Sequence, residues 1–119
     1  MLAGPHVLLL SNEIIVETVK VLRYPRLQKL HALAEHELYD YAQFLHDVCQ
    51  TVVIKQPYHA PLRDPNDLDV MQTAERGEAD VLCSNDRDFH EAGIITFCAV
   101  RGIAVCTEAA LLARLGPGA

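Results

Sequence analysis

Tryptophan is absent from this chain, and aromatic residues of every kind make up only 6% of it. Any core must therefore be largely aliphatic. Apolar residues reach 50% of the 119 positions, enough for one modest core. Positive charge is also short: ten Lys and Arg against sixteen Asp and Glu leave a net charge of −6. Proteins that hold nucleic acid by charge alone are usually basic. A nucleic-acid role here must go through bound cations or a local basic patch. No apolar run approaches the roughly 20 residues needed to cross a bilayer. Met1–Pro5 lacks a basic n-region, and the apolar stretch Val7–Leu10 is too short for a signal peptide, so a soluble cytoplasmic protein is expected. No cysteine sits in a C-x-x-C pair. Cys49, Cys83, Cys98 and Cys106 read as small buried hydrophobes in a reducing compartment. The histidines show no metal spacing, and no zinc site is assigned. No strand leads into a Gly-rich phosphate loop, which argues against a P-loop or dinucleotide-binding domain.

What is present alternates between strand-like and helix-like patterns. Val7–Leu10 reads as a buried strand closed by Ser11, an N-cap for a helix over Asn12–Arg23. Pro25 stops that helix, and a short one follows over Arg26–His31. Glu35–Cys49 is amphipathic, with Leu38, Tyr41, Ala42, Phe44, Leu45, Val48 and Cys49 on one face. The β-branched run Val52–Ile54 predicts the second strand, and Tyr58–Leu62 a loop. Asp64-Pro65 opens a third amphipathic helix that ends at Gly77, a natural C′ residue. Val81–Ser84 and Ile103–Cys106 are the last two strands, with a helix over Ile94–Val100 between them. Thr107 caps a final helix to Leu115, and Gly116–Ala119 forms a loose tail. Such alternation predicts one α/β domain over residues 1–115, built on a parallel sheet covered on both faces.

In parallel α/β sheets, ligands gather beyond the carboxyl ends of the strands. Asp86 and Asp88 lie just past the third strand, in S-N-D-R-D-F over 84–89. Two carboxylates one residue apart can aim at one hard divalent cation, although on this stretch alone an ordinary polar turn, where Asn and Asp are favoured anyway, is the better account. Asp67 shares a helical stripe with Val70, Met71 and Ala74, so its carboxylate faces the sheet. Capping in Asp64-Pro65-Asn66-Asp67 accounts for Asp64 fully but for Asp67 only in part. Glu17 lies at the edge of the first helix's apolar face and is weak evidence alone. Lys20, Arg23, Arg26 and Lys29 cluster around Tyr24, a set suited to phosphates and a stacked base, or to a solvated helix end.

The segment R-D-P-N-D-L-D-V-M-Q-T-A-E-R-G-E-A-D-V-L-C-S-N-D-R-D-F (63–89) resembles the signature of PIN-domain proteins. The nearest group is the toxin components of type II toxin–antitoxin systems related to the VapC toxins. S-N-E-I-I-V-E-T-V-K-V-L-R-Y-P-R-L (11–27) and G-I-A-V-C-T-E-A-A-L-L (102–112) match the same group, so the resemblance spans nearly the whole chain. It implies a PIN-like, Rossmann-like sheet and a metal-dependent endoribonuclease. Glu17, Asp67 and Asp86 would be the catalytic acids holding Mg²⁺ or Mn²⁺, Asp88 a further ligand, and Ser84 the supporting hydroxyl residue. RNA would be the substrate, a cognate antitoxin the partner, and self-association is implied too.

One departure stands out. The family begins with a mid-sheet strand ending in an Asp, whereas here Met1-Leu2-Ala3-Gly4-Pro5-His6 leads directly into the counterpart of its second strand. No acid precedes Glu13. The chain thus reads as N-terminally truncated relative to the family, through a misplaced start, gene decay or a strand supplied by another copy. Impaired catalysis is the corresponding expectation. The alternative function is a non-catalytic PIN-like module that binds protein or RNA, or a truncated remnant.

Overall fold

The computed structural model describes residues 6–115. Met1–Pro5 and the expected tail Gly116–Ala119 lie outside the described residues. Among the described residues the chain is mixed α/β, with six α-helices and short parallel strand pairs. In order these are β1 (Leu9–Leu10), α1 (Asn12–Leu22), α2 (Pro25–His31), α3 (Glu35–Val48) and β2 (Gln50–Thr51). Then come α4 (Pro65–Arg76), β3 (Val81–Cys83), a 3-10 turn (Arg87–His90), α5 (Ala92–Val100), β4 (Ala104–Cys106) and α6 (Glu108–Leu115).

The single sheet expected from the alternation is not what forms. β1 pairs with β2 and β3 pairs with β4, both parallel, as two separate two-stranded sheets. Helix α4 packs against both β1 and β3 and so joins the two halves. Its four consecutive buried residues, Met71 to Ala74, reflect burial on more than one side. The core cluster gathers Met71, Ala74, Leu82, Phe89, Ile94, Cys98 and Ile103 from α4, β3, the 3-10 turn, α5 and the residue before β4. Ile15, Val19 and Leu38 are buried along α1 and α3, and Val52 and Ile54 beyond β2.

Several expectations shift for identifiable reasons. The second strand lies at Gln50–Thr51, not Val52–Ile54. Ser11 accepts from the Ile14 N–H and turns the chain into α1, so β1 ends at Leu10. The Val52 N–H reaches Leu10 O at 2.8 Å, and beyond it no β1 backbone remains to pair with. Val52 and Ile54 still point inward while Val53 points out. Val7 and Leu8 are exposed rather than buried. On α3, Leu38 is fully buried, but Tyr41, Phe44 and Val48 of the expected apolar face are exposed, with Tyr41 and Phe44 stacked at 6.5 Å. Of the four cysteines only Cys98 is buried, and Cys83 is exposed.

Gly77 has a different task from the one expected. It is the C-cap of α4 with an ordinary φ of −82°, and Glu78 is the left-handed C′ residue at φ 54°. Ala79 N–H to Ala74 O and Glu78 N–H to Glu75 O complete a Schellman closure. What Gly77 provides is space. A Cβ there would stand 2.9 Å from Thr73 O, 2.9 Å from Val52 Cγ2 and 3.0 Å from Leu9 Cδ1. Gly77→Ala should therefore destabilise the fold by about 1–2 kcal/mol through overpacking. Glu78→Gly should stabilise it by several tenths of a kcal/mol or more, since the left-handed conformation suits glycine. Paired thermal melts check both signs.

Among the polar ties between the helices and the loop after β2 is a knot around Glu75. The Tyr58 hydroxyl donates to Glu75 Oε1 at 2.8 Å, Arg101 pairs with Glu75, and the Arg101 guanidinium lies 3.4 Å over the Phe97 ring. Burial pushes the Tyr58 hydroxyl well above its usual range, with the Glu75 carboxylate adding to it.

Candidate metal centre

Asp64 N-caps α4 by accepting from the Asn66 N–H at 2.9 Å, and Pro65 at N1 presets the first turn. With Asp64 occupying the cap, Asp67 is free to face inward, on the stripe that carries buried Met71 and Ala74. The second part of the site hangs from the carboxyl end of β3. Ser84 Oγ accepts from the Asp86 N–H at 3.0 Å, and Asp86 Oδ1 accepts from the Asp88 N–H at 3.0 Å. Phe89, buried in the main cluster, anchors this turn from beneath. His90 Nε2 lies 2.6 Å from Ser84 O, so the proton sits on Nε2 and the ring donates. Asn85 ties the turn sideways: its Oδ1 accepts from the Glu108 N–H at 2.9 Å and its amide donates to the Glu108 carboxylate at 3.1 Å.

The result is a compact acidic trio. Carboxylate oxygens of Asp67, Asp86 and Asp88 all lie within 4.8 Å of one another. Asp67 is half-buried, and Asp86 and Asp88 are exposed. The electrostatic cost shows in Asp67, whose carboxyl is pushed up to about 6 from 3.8. Burial is the largest cause, followed by the negative charges of Asp86, Asp64 and Asp88. Three carboxylates this close are hard oxygen donors of the type that could hold a divalent cation.

Glu17 stands apart from the trio but shares a cleft with one of its members. The cleft, about 370 Å³, opens between α1 and α4 and is lined by Glu17 and Asp67, with Glu13 and Asp69 beside them and Ile14, Val21 and Val70 as apolar walls. Of the basic cluster, Lys20, Arg23, Arg26 and Lys29 are all exposed, as is Tyr24. Arg23 Nε donates to Glu35 at 2.9 Å, whereas Lys20, Arg26 and Lys29 make no ion pair among the described residues.

Comparison with protein-family models, with curated proteins and with solved structures gives no match. The site is therefore read from its own geometry. Sequence reasoning passed over His90, Asn85 and Phe89, the residues that hold the acidic turn in place. Their signal was adjacency alone: each lies within two residues of Asp86 or Asp88.

Proposed function

We propose that this chain is a PIN-like, metal-dependent endoribonuclease of the toxin–antitoxin kind, with Asp67, Asp86 and Asp88 holding Mg²⁺ or Mn²⁺. One observation supports this above the others. Asp67, from the start of α4, meets Asp86 and Asp88, from the turn after β3, with all three carboxylates inside 4.8 Å. Capping explains Asp64 and Asp86 individually, but no capping need draws Asp67 to the other two.

When bound, the metal would polarise a phosphodiester oxygen and lower the pKa of the attacking water. The chain's own residues do the rest. Ser84 and His90 fix the turn through the Asp86 N–H and the Ser84 carbonyl, so the two exposed carboxylates are set before a cation arrives. Glu17 would orient substrate or water from the α1 wall of the cleft it shares with Asp67. Lys20, Arg26 and Lys29 would contact phosphates, with Tyr24 exposed for a base to stack on. Arg23, engaged by Glu35, contributes less. The partners in this reading are RNA, a cognate antitoxin over the acidic cleft, and a second copy of the chain, in the cytoplasm. Among the described residues no helix is long and apolar enough to cross a membrane.

A second reading, a non-catalytic PIN-like module, draws on two observations. Glu17 is not among the three carboxylates that cluster. The two ladders also stand unjoined, as expected if the mid-sheet strand of the family has no counterpart among residues 6–115. RNA cleavage assayed with and without Mn²⁺ separates the two. Metal-dependent cleavage lost in Asp86→Asn supports the nuclease, and RNA binding without turnover supports the module.

A further inference from the structure

The β3–β4 ladder places Cys83 and Cys106 at paired positions, so both side chains leave the same face of the sheet from neighbouring strands. Adjacent strands run roughly 4.8 Å apart, inside the roughly 4.4–6.8 Å Cα separation that a disulfide accepts. Both residues are free thiols; Cys83 is exposed and Cys106 half-buried. The backbone spacing is fixed on the carboxyl side of the pair. The Ser84 N–H donates to Cys106 O at 3.0 Å, and the two Asn85–Glu108 hydrogen bonds clamp the next residues. The Cys106 thiol and the Glu108 carboxylate are near enough to Cys83 that, after burial, they are what keeps its proton on.

The other two cysteines are placed differently. Cys98 is fully buried with its sulfur 3.6 Å from Met71 Sδ, and Cys49 ends α3 against His46 O and Thr51 Oγ1. Neither faces the ladder pair. Core packing explains Cys98 but not an exposed thiol paired across a ladder with a second one.

We propose that Cys83 and Cys106 are a redox-active dithiol that closes to an intrachain disulfide on meeting hydrogen peroxide. One thiolate sulfur attacks a peroxide oxygen, the O–O bond breaks, and water leaves with a sulfenic acid on the sulfur. The second thiol attacks that sulfur, the S–O bond breaks, and a second water departs. Two thiols are oxidised and one peroxide is reduced: H₂O₂ + 2 RSH gives RSSR + 2 H₂O. Because Cys83 holds its proton, closure is slow beside that of a dedicated peroxidatic cysteine. The bridge would lock the carboxyl ends of both strands one residue before Ser84, where the acidic turn departs.

The test uses the full chain, treated with hydrogen peroxide and analysed by intact mass under denaturing, non-reducing conditions. The expected result is a loss of two hydrogens, about 2 Da, reversed by dithiothreitol. Tryptic mapping should join the peptide Gly77–Arg87 to the peptide Gly102–Arg114. Cys83→Ser and Cys106→Ser should each abolish the loss, while Cys49→Ser should leave it. Phenylarsine oxide, which clips two neighbouring thiols without oxidising them, should bind the unsubstituted chain one-to-one and neither ladder variant. Oxygen addition to single sulfurs without a bridge, a bridge mapping to Cys49, crosslinked dimers only, or no arsenical capture would each overturn the proposal.

Discussion

If Asp67, Asp86 and Asp88 hold the metal of a ribonuclease as proposed, Mn²⁺ should raise the melting temperature of the unsubstituted chain, and Asp86→Asn should abolish that rise and lower RNA cleavage by more than about 100-fold, since even outer-shell partners of a metal are worth about 10–100-fold. The substitution separates chemistry from folding. Asp86 is exposed, and its Oδ1 accepts from the Asp88 N–H, a bond that an Asn carbonyl can keep. The turn should therefore survive, and the metal-free melt should change little. Asp88→Asn should act in the same direction. Ser84→Ala, which removes only the acceptor for the Asp86 N–H, should give a smaller loss. Glu17→Gln is the discriminating companion. It lies across the cleft from Asp67 and outside the trio, so the Mn²⁺ shift should remain while cleavage falls. A Mn²⁺ shift that survives Asp86→Asn would remove the trio from consideration as the ion site.

The elements themselves were legible wherever local chemistry decided them. Ser11, Asp64-Pro65 and Thr107 start helices where the sequence says they should, because a cap or a fixed φ acts within one turn. Pro25, expected only as the stop of α1, is instead the first residue of α2, where its fixed φ suits the opening turn. The stripe of Asp67, Val70, Met71 and Ala74 likewise follows from helical period alone. What could not be read locally depended on partners. Val52–Ile54 has the composition of a strand, yet ladder bonds need a neighbour, and β1 ends too early to supply one. The apolar face of α3 is amphipathic in pattern, but a pattern does not state that something covers Tyr41 or Phe44. The same holds for joining β1–β2 to β3–β4: alternation predicts parallel pairing without predicting closure of one sheet.

At the site, the acids were legible and their supports were not. The positions of Asp86-x-Asp88 after a strand, and of an inward Asp at a helix start, follow from spacing alone. His90 reaches back to Ser84 O only because the chain makes a 3-10 turn between them, a conformation set by Phe89 seeking the core. Gly77 shows the same limit. Its identity signals a helix end, but its task is the 2.9 Å approach of Val52, which is set by packing from elsewhere in the chain.

The half-buried Asp67 should make metal affinity fall steeply in mildly acidic solution. Its carboxyl titrates at about 6 in the folded chain against an ordinary 3.8, raised by burial and then by Asp86, Asp64 and Asp88. The sign for metal-free stability follows from linkage. The fold holds this proton more tightly than the unfolded chain does. Its stabilising contribution is complete below about 3.8 and is lost as pH rises through about 6. The ceiling is about 3 kcal/mol at 1.36 kcal/mol per pKa unit, and partial exposure to solvent reduces it to about 1 kcal/mol. A cation reverses the preference, because it binds the carboxylate and must displace the proton. Affinity should drop about tenfold per pH unit below about 6. Melts at about pH 7.5 and about pH 5, each with and without Mn²⁺, should therefore show a large metal shift at the first and little at the second. Asp67→Asn should stabilise the metal-free chain near neutral pH, flatten its acid dependence and remove the Mn²⁺ shift at both. A metal shift of equal size at the two pH values would mean that the cation, if bound, does not touch Asp67.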